Sequence, residues 1–273
     1  MKKLCFYALP FPKVKSYYDM IDLATEYGFN AVEGFCILDF ENPDEDAAKK
    51  IREYADSKNV TFPCFSVYME FAPAKESIEK LKKYANVAKI LGSPYLHHTI
   101  IGEFEKSEKI LPYKDEYFKK GIEAVREIYD YAESIGVKAI YEEQGYVFNG
   151  VDGFGKFLDT VDREVGVVAD FGNIYESADD LLDFLKAYGN RVVHAHIKDV
   201  HLLDSNDDGK GFDSLSGKFM YEAEPGKGIV KIKEAIELLK NMGYDGYYGL
   251  EFGASEDNSP LMDDSIALIK SLM

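Results

Sequence analysis

The sequence predicts an α/β protein, a single (β/α)8 TIM barrel, on three observations. Eight short apolar runs alternate with eight longer amphipathic segments along the 273 residues. No linker or low-complexity tract interrupts this alternation, and the length is close to that of one such barrel. No GxGxxG follows the first apolar run, which disfavours an open dinucleotide-binding sheet. We therefore expect one domain over residues 1–273, with parallel strands and right-handed crossovers.

Each predicted strand is a short run rich in β-branched or aromatic residues and flanked by glycine, asparagine or aspartate. This pattern favours buried strands over short helices. Eight such runs indicate a closed barrel rather than an open sheet. In chain order they are KLCFYAL (3–9), NAVEGF (30–35), TFPCFSV (61–67), PYLHHTI (94–100), KAIYEE (138–143), VGVVAD (165–170), VVHAHI (192–197) and GYYGLE (246–251).

The predicted helices follow the strands. The fourth shows the helical period most clearly, because Ile122, Val125 and Ile128 fall on one stripe. Gly136 comes directly after it, as a glycine just past a helix end should. The eight helices are expected near residues 15–28, 44–58, 76–91, 115–135, 151–162, 177–188, 229–242 and 259–272.

One connection is much longer than the others and runs from about residue 199 to residue 228. A loop of this length inside a compact domain is usually functional. It leaves the C-terminal end of the seventh strand, and barrel enzymes place their active sites at that face. We predict a segment that covers the substrate; a surface insertion without function is the alternative.

The charge balance restricts the partners. There are 49 acidic and 32 basic side chains, which give a formal net charge of −17. Negative charge on this scale repels phosphate backbones and anionic lipids, so we expect neither nucleic acid nor a membrane as a main partner. The apolar start of the chain is short and broken by Pro10 and Pro12, which argues against a signal peptide.

The cysteines indicate the compartment. Cys5, Cys36 and Cys64 are an odd number and form no CxxC pair. A reducing cytoplasm suits them better than a secreted disulfide framework. We expect a cytoplasmic protein with structural thiols, and the sequence leaves open whether it forms a homo-oligomer.

Four potential metal ligands, Glu142, Asp170, His196 and Glu251, come at the ends of the last four predicted strands. Because side chains alternate along a strand, all four can point into the barrel. The first three are 28 and 26 residues apart, one strand–helix unit each. Singly, each could cap a helix or pack in the core. Together they predict one hard site for Mn²⁺ (manganese) or Mg²⁺, with Co²⁺ or Zn²⁺ as alternatives.

Other polar residues near strand ends are weaker candidates, as contacts for substrate. Glu33 has inward parity at the end of the second strand, although capping or a salt bridge would also explain it. Lys198 keeps the inward parity of the seventh strand, with a solvent-facing position as the alternative. His97 and His98 end the fourth strand, and parity does not decide which one faces the pocket. His194, one step deeper, is expected to be structural.

The segments VKAIYEEQG, VGVVADFGN and VVHAHIKD, with the ending PGKG…GYDGYYGLE, resemble the xylose isomerase-like barrel superfamily. More narrowly, they resemble its sugar phosphate isomerase/epimerase branch, which includes ketose 3-epimerases, hydroxypyruvate isomerase and inosose dehydratase. The resemblance covers essentially the whole chain and implies a metal-dependent enzyme of carbohydrate metabolism.

The resemblance also implies roles for individual residues. Glu142 and Glu251 would bind the metal and transfer protons, while Asp170 and His196 would bind the metal only. Many members carry histidine three residues after the metal-binding aspartate, where this chain has Asn173. An amide can bond a substrate hydroxyl but cannot shuttle a proton.

The expected reaction is isomerisation or epimerisation of a sugar. The metal would bind a carbonyl oxygen and the neighbouring hydroxyl oxygen, and would stabilise the enediolate formed when the adjacent C–H loses its proton. Glu142 and Glu251 would act as base and acid from opposite sides. Two-sided transfer inverts a stereocentre, whereas one-sided transfer to the neighbouring carbon isomerises. Dehydration of an inosose-like substrate through the same enolate stays open.

The substrate is expected to be a free ketose or aldose, a polyol-derived ketone or a small hydroxy-ketone. Residues 198–228 hold four lysines, no arginine and seven acidic residues, whereas phosphate sites normally use basic side chains or glycine-rich nests. An endonuclease IV-like phosphodiesterase is disfavoured, because the chain has five histidines and its charge opposes DNA. A non-catalytic sugar-binding protein stays open, although intact Glu142 and Glu251 argue against it.

Overall fold

A computed structural model describes residues 3–9, 11–68, 75–99, 111–207, 209–251 and 259–273. Eight parallel strands close into a barrel in which each strand pairs with its neighbours and the last closes against the first. The predicted barrel is confirmed. Its strands are β1 (Leu4–Tyr7), β2 (Val32–Phe35), β3 (Phe65–Val67), β4 (Tyr95–His98), β5 (Lys138–Glu142), β6 (Gly166–Asp170), β7 (Val192–Ile197) and β11 (Tyr248–Leu250).

Helices alternate with these strands. Their starts are set by local chemistry: the side chains of Ser16, Asp44 and Asp180 each accept a hydrogen bond from a backbone N–H in the first turn. Gly136 follows the fourth helix with φ of 84°, which ends it as predicted. The helices are α1 (Tyr17–Glu26), α2 (Glu45–Ser57), α3 (Lys75–Leu91), α4 (Lys114–Ser134), α5 (Val151–Val161), α6 (Leu181–Tyr188), α7 (Ile232–Asn241) and α8 (Ser259–Leu272).

Two elements begin four residues later than predicted. The helix expected from residue 177 begins at Leu181, because a short 3₁₀ turn over Asn173–Ser177 ends with Ala178 at φ of 68°. The strand expected from residue 61 begins at Phe65. Pro63 lies in the segment before it, and proline has no backbone N–H to donate to a sheet.

The sequence predicted a long loop after β7, but this connection contains regular structure. It contains a three-stranded antiparallel sheet made of β8 (Asp199–Leu203), β9 (Phe212–Asp213) and β10 (Phe219–Ala223). Phe212 and Met220 from this sheet line a cavity at the C-terminal end of the barrel. The position therefore agrees with the predicted cover over a binding site.

Most of the buried core is apolar, but polar side chains gather inside the C-terminal half of the barrel. Glu33, His97, Asp170, His194 and His196 are all at most 4% exposed. Buried charge of this kind needs partners, because leaving it unpaired costs several kcal/mol. In the described part of the chain, no helix combines the length and apolar character needed to cross a bilayer.

Candidate metal centre

Four side chains converge on one point at the C-terminal end of the barrel. His196 Nδ1 lies 3.1 Å from Glu142 Oε2, 3.2 Å from Glu251 Oε2 and 3.7 Å from Asp170 Oδ2. The sheet register brings them together, because His196 pairs with Asp170 on β6 and with Gly249 on β11. The four predicted ligands therefore lie together in space. We refer to Glu142, Asp170, His196 and Glu251 as the quartet.

Glu142 and Asp170 each accept hydrogen bonds from neighbouring protein groups at one carboxylate oxygen. Asn173 Nδ2 donates to Glu142 Oε1 at 2.6 Å. The backbone N–H groups of Gly172 and Asn173 donate to Asp170 Oδ1 at 2.7 and 2.8 Å. The other oxygen of each carboxylate, Glu142 Oε2 and Asp170 Oδ2, is left facing His196.

The other two members of the quartet follow the same arrangement. Lys198 Nζ donates to Glu251 Oε1 at 2.9 Å, which leaves Glu251 Oε2 facing His196. His196 donates from Nε2 to Glu33 Oε1 at 2.9 Å, so its second ring nitrogen, Nδ1, points at the three carboxylates. One atom of each side chain is thus fixed by the protein and one is presented to a common point.

This arrangement fits a divalent cation. Within the described residues, His196 Nδ1 and Asp170 Oδ2 are buried without any hydrogen-bond partner. Glu142, Asp170 and His196 each offer an atom within the mutual distances that a single ion requires. Three carboxylate oxygens and one imidazole nitrogen are the ligand chemistry of a hard divalent ion.

The two glutamates of the quartet differ in their electrostatic surroundings. Burial and the nearby Asp170 carboxylate outweigh the effect of the adjacent His196 ring and raise the pKa of Glu142 from 4.5 to about 7. Burial would also raise the pKa of Glu251, but the Lys198 ammonium and the His196 ring hold it well below its ordinary value. Glu251 is therefore the stronger acid, and Glu142 can hold a proton near neutral pH.

Glu33, which was predicted to contact substrate hydroxyls, is not among the described residues that line the cavity. It is fully buried beneath His196, and its oxygens accept hydrogen bonds from His194 at 2.6 Å, His196 at 2.9 Å and Ser66 at 2.7 Å. Gly249 makes room for it, because a Cβ there would lie 2.5 Å from Glu33 Oε2. His194 is structural, as expected from its deeper position.

The two histidines of β4 point in opposite directions. His97 lines the cavity and lies 3.5 Å from Glu142, between its Nε2 and Oε2. Burial lowers the pKa of His97 to about 3, so its ring is neutral. His98 Nε2 is 2.9 Å from the Tyr141 hydroxyl, and Tyr141 packs against Phe157 of α5. His98 thus faces the helices, and its position does not support the predicted contact with substrate.

Asn173 and Lys198 both line the cavity, as a contact with substrate requires. Both also bond the candidate ligands, since the Asn173 amide donates to Glu142 and the Lys198 ammonium donates to Glu251. Their first task is therefore to orient the two glutamates. Lys198 is only 9% exposed.

Glu176 is a cavity residue that the sequence analysis missed. Its side chain is 4% exposed and lines the cavity, while Oε2 accepts the Gly145 backbone N–H at 2.6 Å. Burial raises the pKa of Glu176 from 4.5 to about 7. It lies in the 3₁₀ turn after β6, where the sequence predicted the approach to a helix, so strand parity gave no signal for it.

The chain is similar to known proteins in sequence and in fold. The sequence profile of the family described as xylose isomerase-like TIM barrel matches residues 21–272. The inosose dehydratase of Clostridium perfringens (strain 13 / Type A) is 26% identical over 260 residues, which cover 85% of this chain and 85% of that protein.

Two solved structures share the fold. D-Psicose 3-epimerase with D-tagatose from Clostridium cellulolyticum H10 has a TM-score of 0.77 at 15% identity, over 99% of this chain and 98% of that one. The IolI protein with a binding zinc atom has a TM-score of 0.75 at 20% identity, over 99% of this chain and 96% of that one. At these identities, the likeness is one of fold.

Proposed function

The chain belongs to the xylose isomerase-like TIM-barrel family, and from that premise we propose that it is a metal-dependent isomerase or epimerase of a free sugar or polyol-derived ketone. The proposal rests on one observation: three carboxylates and one imidazole each direct one atom to the same point. The curated relative reported above is an enzyme, which favours catalysis over simple sugar binding.

Glu142, Asp170, His196 and Glu251 would hold the cation, with Mn²⁺ or Mg²⁺ preferred for their hard ligands and Co²⁺ or Zn²⁺ as alternatives. When bound, the metal would supply Lewis-acid stabilisation of the negative charge that develops on substrate oxygens as a C–H bond is broken. The protein groups that bond the other atom of each ligand residue would keep that residue in place, as the outer partners of metal ligands commonly do.

Glu142 and Glu251 would move the protons. Glu142 ends β5 and Glu251 directly follows β11, and β6 and β7 separate these strands in the barrel, so the two carboxylates approach the substrate from two sides. Glu251, with its lowered pKa, is ionised at neutral pH and can accept a proton. Glu142, with a pKa near neutrality, can hold one and return it. Two carboxyl groups whose environments push their pKa values apart suit an acid–base pair.

The cavity supports an unphosphorylated small molecule as substrate. Its volume is about 250 Å³. Of the described residues that line it, Lys198 is the one cation, and its ammonium is paired with Glu251. Glu222 and the ionised Glu251 add negative charge that would repel a phosphate group.

Dehydration is the second candidate, and Glu176 favours it. Loss of a hydroxyl group needs a proton donor at the departing oxygen, whereas isomerisation and epimerisation do not. A buried carboxyl with a pKa of about 7 in the same cavity can be that donor. The inosose dehydratase relative points to the same reaction.

The test is a turnover screen on protein stripped with a chelator and restored with Mn²⁺. Free ketoses including D-tagatose, free aldoses and an inosose are incubated in D₂O, and the products are identified by NMR. Metal-dependent turnover with solvent deuterium at the reacting carbon is expected. Glu142→Gln and Glu251→Gln should each lower kcat by about 100-fold or more, while the exposed Glu234→Gln leaves it unchanged.

The outcomes separate the candidates. Loss of water from the inosose would select dehydration, and Glu176→Gln should then lower that rate. Absence of turnover on every sugar with Mn²⁺, Mg²⁺, Co²⁺ and Zn²⁺ would overturn the catalytic proposal. Turnover without deuterium in the product would contradict proton transfer by the two glutamates.

A further inference from the structure

We propose that His97 recognises a hydroxyl group of the substrate by accepting its hydrogen bond at Nε2, and that Glu33 and Ser66 fix the histidine in the tautomer that can do so. The proposal rests on the proposed function for the identity of the substrate as a sugar or polyol ketone. The new element is that the protein requires one particular hydroxyl group of that substrate.

The first step is the state of Glu33. Its Oε1 lies 2.7 Å from Ser66 Oγ and 2.9 Å from His196 Nε2, and its Oε2 lies 2.6 Å from His194 Nε2. The side chain is completely buried. A carboxylate surrounded by a hydroxyl and two ring N–H groups acts as an acceptor in every one of these bonds.

The second step is the direction of the Ser66 hydroxyl. Ser66 has a single hydroxyl proton, and the 2.7 Å bond to the carboxylate uses it. Ser66 Oγ also lies 3.0 Å from His97 Nδ1. Since the hydroxyl proton is already donated to Glu33, this second bond requires His97 Nδ1 to carry a hydrogen and donate it.

The third step concerns the other ring nitrogen of His97. With Nδ1 protonated in a neutral ring, Nε2 has a bare lone pair. Nε2 has no hydrogen-bond partner in the part of the chain that the structure describes, and the residue is only 4% exposed. It borders the cavity, 3.5 Å from Glu142 Oε2. At this distance the two atoms make no hydrogen bond, so Glu142 does not supply the missing donor.

The fourth step is the chemistry of the missing partner. A buried acceptor without a donor is unfavourable, so the site favours a ligand that brings one. A hydroxyl group of a polyhydroxylated substrate is such a donor, whereas a carbonyl, an ether or a phosphate oxygen is not. The substrate should therefore carry a free hydroxyl at the carbon that sits beside His97.

The tautomer can be measured without substrate or metal. Long-range ¹H–¹⁵N spectra of protein labelled at histidine report which ring nitrogen carries the proton. His97 should show Nδ1 protonated in the wild type, and Ser66→Ala, which changes one buried hydroxyl and little volume, should convert it to a mixture of tautomers. Nε2 protonated in the wild type, or no change in Ser66→Ala, would overturn the proposed positioning by Glu33 and Ser66.

The hydroxyl requirement is tested with the sugar ketone that the turnover screen converts fastest, compared with its monodeoxy analogues. In the wild type, removal of one particular hydroxyl should raise KM by about 10-fold or more. His97→Phe should raise KM for the parent by a similar factor and should no longer distinguish it from that analogue. His98→Phe, the matched change on the opposite face of β4, should keep the discrimination.

Each remaining outcome decides a separate point. Equal discrimination in the wild type and in His97→Phe would overturn recognition by His97, whatever the catalytic activity. Two bound metal ions per chain, with the second lost in His97→Phe, would show that Nε2 is a metal ligand and would also overturn it. If no sugar is turned over, the proposed function fails, while the tautomer measurement still confirms or refutes the positioning step.

Discussion

At the scale of single residues, each member of the quartet uses one atom to bond protein donors or acceptors and keeps another for the common point. Asn173 and Lys198 act on the outer oxygens of Glu142 and Glu251, and Glu33 acts on the outer nitrogen of His196. Ligands fixed in this way do not have to be ordered when an ion binds. The site is therefore pre-organised by residues that would not themselves touch the metal.

Glu176 gives a prediction about stability and pH. Its pKa in the folded protein is about 7, against 4.5 ordinarily, so between these values the folded state binds a proton that the unfolded state has lost. Its contribution to stability is full below about pH 4.5 and is lost as pH rises through 7. We expect Glu176→Gln to be as stable as the wild type at about pH 4 and more stable at pH 8, by up to about 3 kcal/mol.

Urea unfolding of chelator-treated protein at several pH values measures this difference. The exposed Glu234→Gln serves as the control and should track the wild type at every pH. A stability difference between Glu176→Gln and the wild type that does not change with pH would contradict a proton held by the Glu176 carboxyl.

Strand parity predicted the quartet because side chains alternate along a strand. The parity of a residue at the end of a barrel strand therefore determines whether its side chain points into the barrel. The role of Glu33 could not be read in this way, since its partners His194 and His196 are 161 and 163 residues away in the chain. Ser66 gave no signal at all, because one serine on a strand is unremarkable until the barrel closes. Residues in the turn after β6, such as Glu176, have no period to follow.

At the scale of elements, the connection between β7 and α7 is tied down by one buried side chain. Asp199 Oδ1 accepts the backbone N–H groups of Val200 at 2.9 Å and Val230 at 3.0 Å. Its Oδ2 accepts those of Gly226 at 2.8 Å and Gly228 at 2.9 Å. Asp199 therefore joins the start of the connection to its end and holds the sheet of β8, β9 and β10 over the cavity.

We predict that Asp199→Ala lowers the free energy of unfolding by about 2–4 kcal/mol, because four backbone donors lose a buried charged acceptor. It should also raise KM for the substrate, since Phe212 and Met220 line the cavity from this sheet. Urea unfolding and amide hydrogen exchange of residues 199–230 measure the effect.

Asp204→Ala is the matched control, because Asp204 lies in the same connection but is 90% exposed, and its one ion pair among the described residues is with Lys218 at 3.4 Å. It should change stability by less than about 1 kcal/mol. Equal losses in the two variants, or unchanged exchange rates in Asp199→Ala, would contradict the role assigned to Asp199.

The regular elements of the barrel could be predicted because their patterns are local. The runs 138–143, 165–170 and 192–197 correspond closely to β5, β6 and β7. The small sheet in the connection could not, because β9 has two residues and the strands depend on pairing between Phe219 and Leu203 across a long turn. The helix start at residue 177 was wrong because a local turn at Ala178 overrides the apolar period.

At the scale of the whole molecule, barrel closure is what creates the site. Glu33, Ser66, His97, Glu142 and His196 come from five different strands and meet only because β11 pairs with both β7 and β1. The closed barrel also buries several carboxyl groups close together in a chain of net charge −17. A bound divalent cation would offset that repulsion, so metal binding and stability should be coupled.

The most direct test of this account is the metal content and thermal stability of the chelated protein titrated with Mn²⁺, for the wild type, Asp170→Asn and the exposed Asp183→Asn. We predict one ion per wild-type chain and a Tm that rises with Mn²⁺ concentration. Asp170→Asn should bind at least about 10-fold more weakly, while Asp183→Asn matches the wild type. A wild type that binds no ion, or an Asp170→Asn variant that binds it equally well, would contradict the central claim that this quartet is a metal site.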